Sequence, residues 1–518
     1  MKKNLDFHPY TVSFIALTLI YILSGTGIHG DDYRVIIDMN ANNVWSPYSL
    51  GVDKLNSMIF NLPTYYGFWW AYYIFGLEYQ FAYDIVKIVS HGLAIYMVYK
   101  FAKDYLPNDR ALLASIVFIF YPLHDSTTYW YMTLPYIFVP AILLYAHHLV
   151  RRNAIWPASP LLFIGSIALY ASPPYVFGLA SIFAFEKKFK KAIIFIIPGI
   201  FYLAFYFFIK LNYPDVDGRM DSNLTIAVYL KTIIIQFISF IEASIGPSYW
   251  LKVIFSVNSM SLLSIIVTTV LASFFLTKVR IFFQKHTPSK PLFYGLVCII
   301  IFSFALYSLT GRYSHSPFNL GNRTTVYGSL LIAFLLATFL PANKKSVIFL
   351  LIIFLMPSFG LSDHWKSWNV HQKIIIKNIK NNQELKKIEF DSTLIVIRNI
   401  YSKLGPFAHI EFFSMPWNVN AIFQDNVKTK NVVALTPNVV IKDGYIINSK
   451  FGSKYSLKGK LYVYDSERDQ VRDISFKDVP ELIKQQPGVL RHWVQLFKDT
   501  WIQDILILLS PRLSYLFV

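Results

Sequence analysis

The sequence predicts a polytopic α-helical membrane protein, with about eleven spans judged from apolar-run length. A C-terminal external α/β or α+β domain follows. Three observations predict this class. The 518 residues are 55% hydrophobic and 15% charged, where a soluble chain carries about 25% charged residues. The apolar residues come in runs of bilayer length, such as residues 192–209 and 292–309, rather than in periodic stripes. Near Gly360 the long apolar runs stop and charged residues become frequent. The chain is therefore divided into a transmembrane domain at 1–359 and an external soluble domain at 360–518.

The elements follow in order. Lys2 and Lys3 precede the apolar stretch 11–23, and no clear small-x-small cleavage site comes after it. A retained first span is expected rather than a signal peptide. Further spans are expected near 80–99 and 134–150. The aromatic stretch 65–77 and residues 226–245 fit either a crossing or an interfacial position. A last apolar run, 347–358, leads into the C-terminal part. There, residues 364–385 read as a helix and residues 392–400 as a buried strand, because Leu394, Ile395, Val396 and Ile397 run together. Asp443-Gly444 between apolar runs signals a hairpin over 439–447. Residues 460–464 form another strand. Residues 493–518 alternate apolar and charged positions, which suits an interfacial helix, and Arg512 counts against a further span.

Loop charge gives the expected orientation. Basic clusters fall at Lys2/Lys3, Lys100/Lys103/Arg110, Arg151/Arg152, Lys187–Lys191, Lys278–Lys290 and Lys344/Lys345, in alternate loops. The N-terminus is then cytoplasmic. Asp31 and Asp32, the His124-Asp125 turn, Pro173-Pro174 and residues 311–324 face outward. The formal charge of +18 is thereby explained by loops, so the expected partner is a lipid bilayer and no nucleic acid. Cys298 is the single cysteine, which excludes a disulfide within the chain.

The outward residues carry the candidate chemistry. Asp31-Asp32 follows the first span directly. An Asp there serves as a helix N-cap, as a general base taking a hydroxyl proton, or as half of a divalent-cation site. Asp125 lies in a short turn with His124, Tyr129 and Trp130, where rings beside polar groups suit a sugar or headgroup. Arg34, Arg219, Arg312 and Arg323 are the outward arginines before residue 360; a guanidinium holds a phosphate in bidentate fashion. Asp84, Lys87 and His91 share one face of a predicted span, as an internal ion pair or as a polar groove wall.

In layout, residues 1–360 resemble the GT-C glycosyltransferases of bacterial envelopes. These include protein O-mannosyltransferases, the aminoarabinose transferase acting on lipid A, and serotype-converting O-antigen glucosyltransferases of lipopolysaccharide. The resemblance rests on Asp31-Asp32-Tyr33-Arg34 after the first span, Asp125 in the second external loop, Arg323 at a late one, and the C-terminal domain. It implies a polyprenyl-phosphate sugar donor and an acceptor hydroxyl on an envelope glycan or glycolipid. Asp31 or Asp32 would be the base, and Asp125 would place the acceptor or a metal. Arg323 would hold the donor phosphate, with Arg34, His124, Tyr129, Trp130 and Arg312 as further substrate contacts. A divalent cation, Mg or Mn, held by Asp31, Asp32 and Asp125 is left open, since the family includes members with and without a metal. The implied location is the bacterial inner (plasma) membrane, with the C-terminal domain periplasmic or external. Two other classes fit the composition: an O-antigen polymerase or ligase of another fold, and a lipid-linked-sugar flippase or transporter.

Overall fold

The computed structural model describes residues 9–41, 70–169, 171–212, 224–278, 288–310, 315–341, 343–436, 439–448, 453–457, 459–485, 490 and 492–517. The chain is mostly helical, at 71%. Long runs of Leu, Ile and Phe form helices because hydrocarbon offers no partner for open backbone groups. Among the described residues, 7 helices are long and apolar enough to cross a membrane: Gln80–Ala102, Tyr131–Arg151, Phe189–Phe208, Ile226–Asn258, Lys290–Ser308, Leu320–Phe339 and Lys345–Asn381. Four more apolar helices are shorter: Pro9–Leu23, Ile155–Ile167, Pro173–Phe185 and Leu262–Lys278. They fall below the roughly 20 residues that a crossing needs, so helix length alone does not reach the expected eleven. Of the aromatic stretch 65–77, residues 65–69 lie outside the described residues.

The bundle packs closely where side chains are small. Pro173–Phe185 runs against Lys290–Ser308 through Gly178 and Gly295. A Cβ at Gly178 would come within 2.8 Å of the Ile299 backbone nitrogen, and one at Gly295 within 2.9 Å of the Gly178 carbonyl. Only glycine lets these two backbones approach so closely.

The composition change at Gly360 does not mark a linker. Lys344–Leu350, a π-helical turn at Leu351–Leu355 and Met356–Asn381 follow one another without a break. The helix therefore carries the chain from the bundle directly into the C-terminal part. Beyond Gln383–Lys387, a four-stranded sheet has the order β4-β1-β8-β9. β1 (Thr393–Ile397) runs parallel to β4 (Asn431–Ala434) and β8 (Leu461–Asp465), and β9 (Gln470–Ile474) is antiparallel to β8. β1 and β8 are buried at every position, which is why β1 reads as a continuous apolar run instead of alternating. β2 (Tyr401–Leu404) and β3 (Phe407–Glu411) form a separate hairpin. β5 (Val439–Lys442), β6 (Tyr445–Asn448) and β7 (Ser453–Ser456) form a meander. Asp443 and Gly444 take φ of 53° and 76° at the β5–β6 turn, the pair of positive values that a tight hairpin requires.

One apolar core joins the two parts. Tyr33, Ile36 and Met39 of the helix Asp31–Ala41 pack in a single cluster with Ile375, Phe412, Phe413 and Val419. The C-terminal part thus sits on the residues that follow the first helix.

Candidate functional site

A glycine turn aims the first two carboxylates. Gly25, Gly27 and Gly30 all have positive φ, at 87°, 60° and 52°. A Cβ at Gly27 would collide with Asn369 and Gln80. Asp84 holds this turn by accepting the Gly25 and Gly27 N–H groups at 2.7 and 2.9 Å. Lys87 pairs with Asp84 at 2.9 Å and donates to the carbonyls of Gly27 (2.8 Å) and Tyr129 (3.1 Å). Asp84 and Lys87 are therefore an internal pair that clamps a loop. His91 bonds the Lys87 carbonyl and is buried.

Asp31 and Asp32 stand in opposite surroundings. Asp32 is fully buried. One oxygen accepts the His29 N–H at 2.9 Å, closing the helix start, and the other accepts the Tyr72 hydroxyl at 2.5 Å. Burial outweighs these bonds and pushes its carboxyl up from 3.8 to about 7. Asp31 is partly exposed. Its Oδ1 accepts from Trp417 Nε1 at 2.7 Å and Asn418 Nδ2 at 3.0 Å, both on the C-terminal helix Pro416–Phe423. Its Oδ2 has no hydrogen-bond partner among the described residues.

Asp125 begins the short helix Asp125–Tyr129 and is 1% exposed. Oδ1 takes Lys252 Nζ at 2.6 Å and the Asn322 side-chain amide. Oδ2 takes Trp365 Nε1 and His409 Nε2, both at 2.8 Å. His409 Nδ1 accepts the Asn319 N–H at 3.3 Å, which leaves Nε2–H to donate to Asp125. Burial alone would raise the Asp125 carboxyl. Lys252 and His409 outweigh it and hold the group well below the usual carboxylate range. Lys252 also donates to the Leu123 and Pro317 carbonyls. This carboxylate is ionised and fully occupied.

Trp365 links the two regions. Its ring lies 4.6 Å edge-on from His29 and stacks 5.9 Å from Tyr129. Trp130 Nε1 donates to the His29 carbonyl at 2.7 Å.

The other expected contact residues are used inside the fold. His124 bonds Thr127 Oγ1 and the Phe118 carbonyl, both at 2.9 Å, and is buried. Its imidazole is pushed down to about 4 by burial. Tyr129 donates to the Ser358 carbonyl at 2.6 Å. These three rings therefore shape the site from behind, and the expectation that His124, Tyr129 and Trp130 meet substrate is not matched by open surface. Arg34 pairs with Asp38 along its helix at 2.9 Å. Arg323 donates to the Leu320 carbonyl at 3.0 Å and lies over Tyr136. Leu320 in turn lies against Gly30, so Arg323 stands near the Asp31 loop. Arg219 and Arg312 lie outside the described residues.

The carboxylates do not converge on a metal position. An ammonium group occupies Asp125, Asp32 faces Tyr72, and no group of three or more His, Cys, Asp or Glu side chains suits a metal ion among the described residues. Asp31, Asp32 and Asp125 do not fit as a shared ligand set. Sequence reasoning missed Lys252, Trp365, His409, Trp417 and Asn418. A lone lysine in the apolar helix Pro247–Asn258 is a readable signal, since a charge inside a span needs a partner. The C-terminal residues carry no comparable signal. No protein-family model, curated protein or solved structure matches this chain.

Proposed function

We propose that the protein is a membrane glycosyltransferase that moves one sugar from a polyprenyl-phosphate donor to an acceptor hydroxyl, with Asp31 as general base. One observation carries this reading. Of the three candidate carboxylates, Asp31 alone combines partial exposure with an oxygen left over after its protein bonds. Asp125 is saturated, and Asp32 is sealed against Tyr72. Asp31 also sits where the bundle meets the C-terminal domain, against Trp417 and Asn418.

The chemistry balances with few groups. Asp31 takes the acceptor O–H proton as the oxygen attacks the anomeric carbon. The bond from that carbon to the phosphate oxygen breaks, and the electron pair leaves with polyprenyl phosphate. A guanidinium nearby stabilises the added charge; Arg323, next to the Gly30–Asp31 loop through Leu320, is assigned this role. A lipid donor accounts for the membrane setting, and the alternation of basic loops supports a reaction on the outer face of a bacterial plasma membrane.

The test is transfer of labelled sugar from a polyprenyl-phosphate donor by purified protein, with envelope glycans read by mass spectrometry. Asp31→Asn lowers transfer by about 10²–10⁴-fold and leaves the thermal midpoint unchanged. Full activity in a well-folded Asp31→Asn protein overturns the assignment.

A further inference from the structure

The last described segment, residues 492–517, has no part in the site above. Leu490 bridges to Phe407 of β3, and the Ala408 N–H donates to the Leu490 carbonyl at 3.0 Å. The chain then turns through Trp493–Phe497, packs on Pro247–Asn258, and forms the helix Trp501–Leu509. A final turn, Pro511–Phe517, folds back onto both. No residue of Trp501–Leu509 is buried. Trp501 is 69% exposed, Leu508 85% and Leu509 74%, with Ile505 also exposed. Positions 501, 505, 508 and 509 fall on one side of a helix.

The neighbouring helix shows what this segment lies beside. Ile226–Ile245 is apolar and its side chains are mostly exposed, as expected of a lipid-facing surface. Trp493 reaches the carboxyl group of Glu242, one turn before that helix ends at Gly246-Pro247. At the same end the Tyr121 hydroxyl, beside the outward His124-Asp125 turn, donates to the Ser244 carbonyl at 3.1 Å. The Trp501–Leu509 helix follows Trp493 directly and so continues the lipid-facing surface at the outward end of the bundle. Trp is favoured at the membrane interface, and Trp493 and Trp501 supply it.

We propose that Trp501–Leu509 lies flat in the membrane interface with Trp501, Ile505, Leu508 and Leu509 in the lipid. The occupant of this apolar face is the bilayer that the bundle crosses. The helix then ties the far edge of the C-terminal domain to the membrane and holds β3, which carries His409, at a fixed height above the bundle.

A spin-label accessibility experiment on the full chain in phosphatidylcholine–phosphatidylglycerol vesicles tests this. Cys298 is the single cysteine, so Cys298→Ser with Leu508→Cys gives one labelling site on an 85% exposed side chain. Reference labels at Ile238→Cys and Glu467→Cys report lipid-facing and water-facing positions. The expected result is oxygen accessibility and nickel-chelate shielding that match the label at position 238. Chelate accessibility like that at position 467 overturns the proposal. Shielding from both reagents with dipolar broadening between labels also overturns it, in favour of a second copy of the chain. The result is independent of whether Asp31 is a base.

Discussion

Asp32 and Asp125 are equally deep in the same end of the bundle, yet their charges settle differently. Asp125 has a lysine ammonium at 2.6 Å and three further donors. Asp32 has a hydroxyl and one backbone N–H. The first is held ionised below the usual range, and the second is pushed up to about 7 by burial. Burial alone therefore does not decide whether a carboxylate is structural or reactive. The cation beside it does, and Asp31, partly exposed and incompletely bonded, belongs to neither case.

The contrast is broken most severely by removing the cation. Lys252→Met strands a buried anion, which costs about 3–5 kcal/mol. The thermal midpoint in detergent falls sharply, or the protein fails to accumulate. Adding Asp125→Asn to Lys252→Met removes the stranded charge and recovers much of the loss. If Lys252→Met alone is as stable as the parent, the ion pair does not stabilise the bundle.

The pH response separates the two carboxylates by sign. For Asp125 the folded pKa is depressed, so its stability is present above the ordinary value of 3.8 and is lost as pH falls through the folded value. For Asp32 the folded pKa is raised from 3.8 to about 7. Its neutral form stabilises the fold fully below about 4, and this contribution disappears as pH rises through about 7. At about 1.4 kcal/mol per pH unit, the change amounts to about 4 kcal/mol at most. The parent protein should therefore lose thermal stability between pH 5 and pH 8, and Asp32→Asn should flatten that slope. An unchanged slope in Asp32→Asn assigns the titration elsewhere.

Much of the fold was legible because long apolar runs and continuous β-branched strands leave few alternatives. β1, β8 and the Asp443-Gly444 hairpin lie where the pattern placed them. The composition change at Gly360 falls inside a continuous helix, because composition reports burial against lipid, not chain breaks, and one helix carries both kinds of surface. The candidate site was legible at its carboxylates and not at their partners. Trp417 meets Asp31 across 386 positions and His409 meets Asp125 across 284. No local period encodes such pairings. His124, Tyr129 and Trp130 drew notice for density of chemistry, but that density serves internal hydrogen bonds.

The finest test concerns how the C-terminal domain acts on Asp31, and it rests on Asp31 being the base. Two donors on Oδ1 fix the carboxylate plane, which keeps Oδ2 aimed. Trp417→Phe keeps the ring and removes one donor, worth about 1 kcal/mol for a partly exposed group. The expected result is a kcat about fivefold lower with KM for the donor and the thermal midpoint unchanged. A purely structural Trp417 would lower the thermal midpoint and leave kcat of the folded protein in place. Asn418→Ala should lower kcat by less, since its bond is longer at 3.0 Å against 2.7 Å.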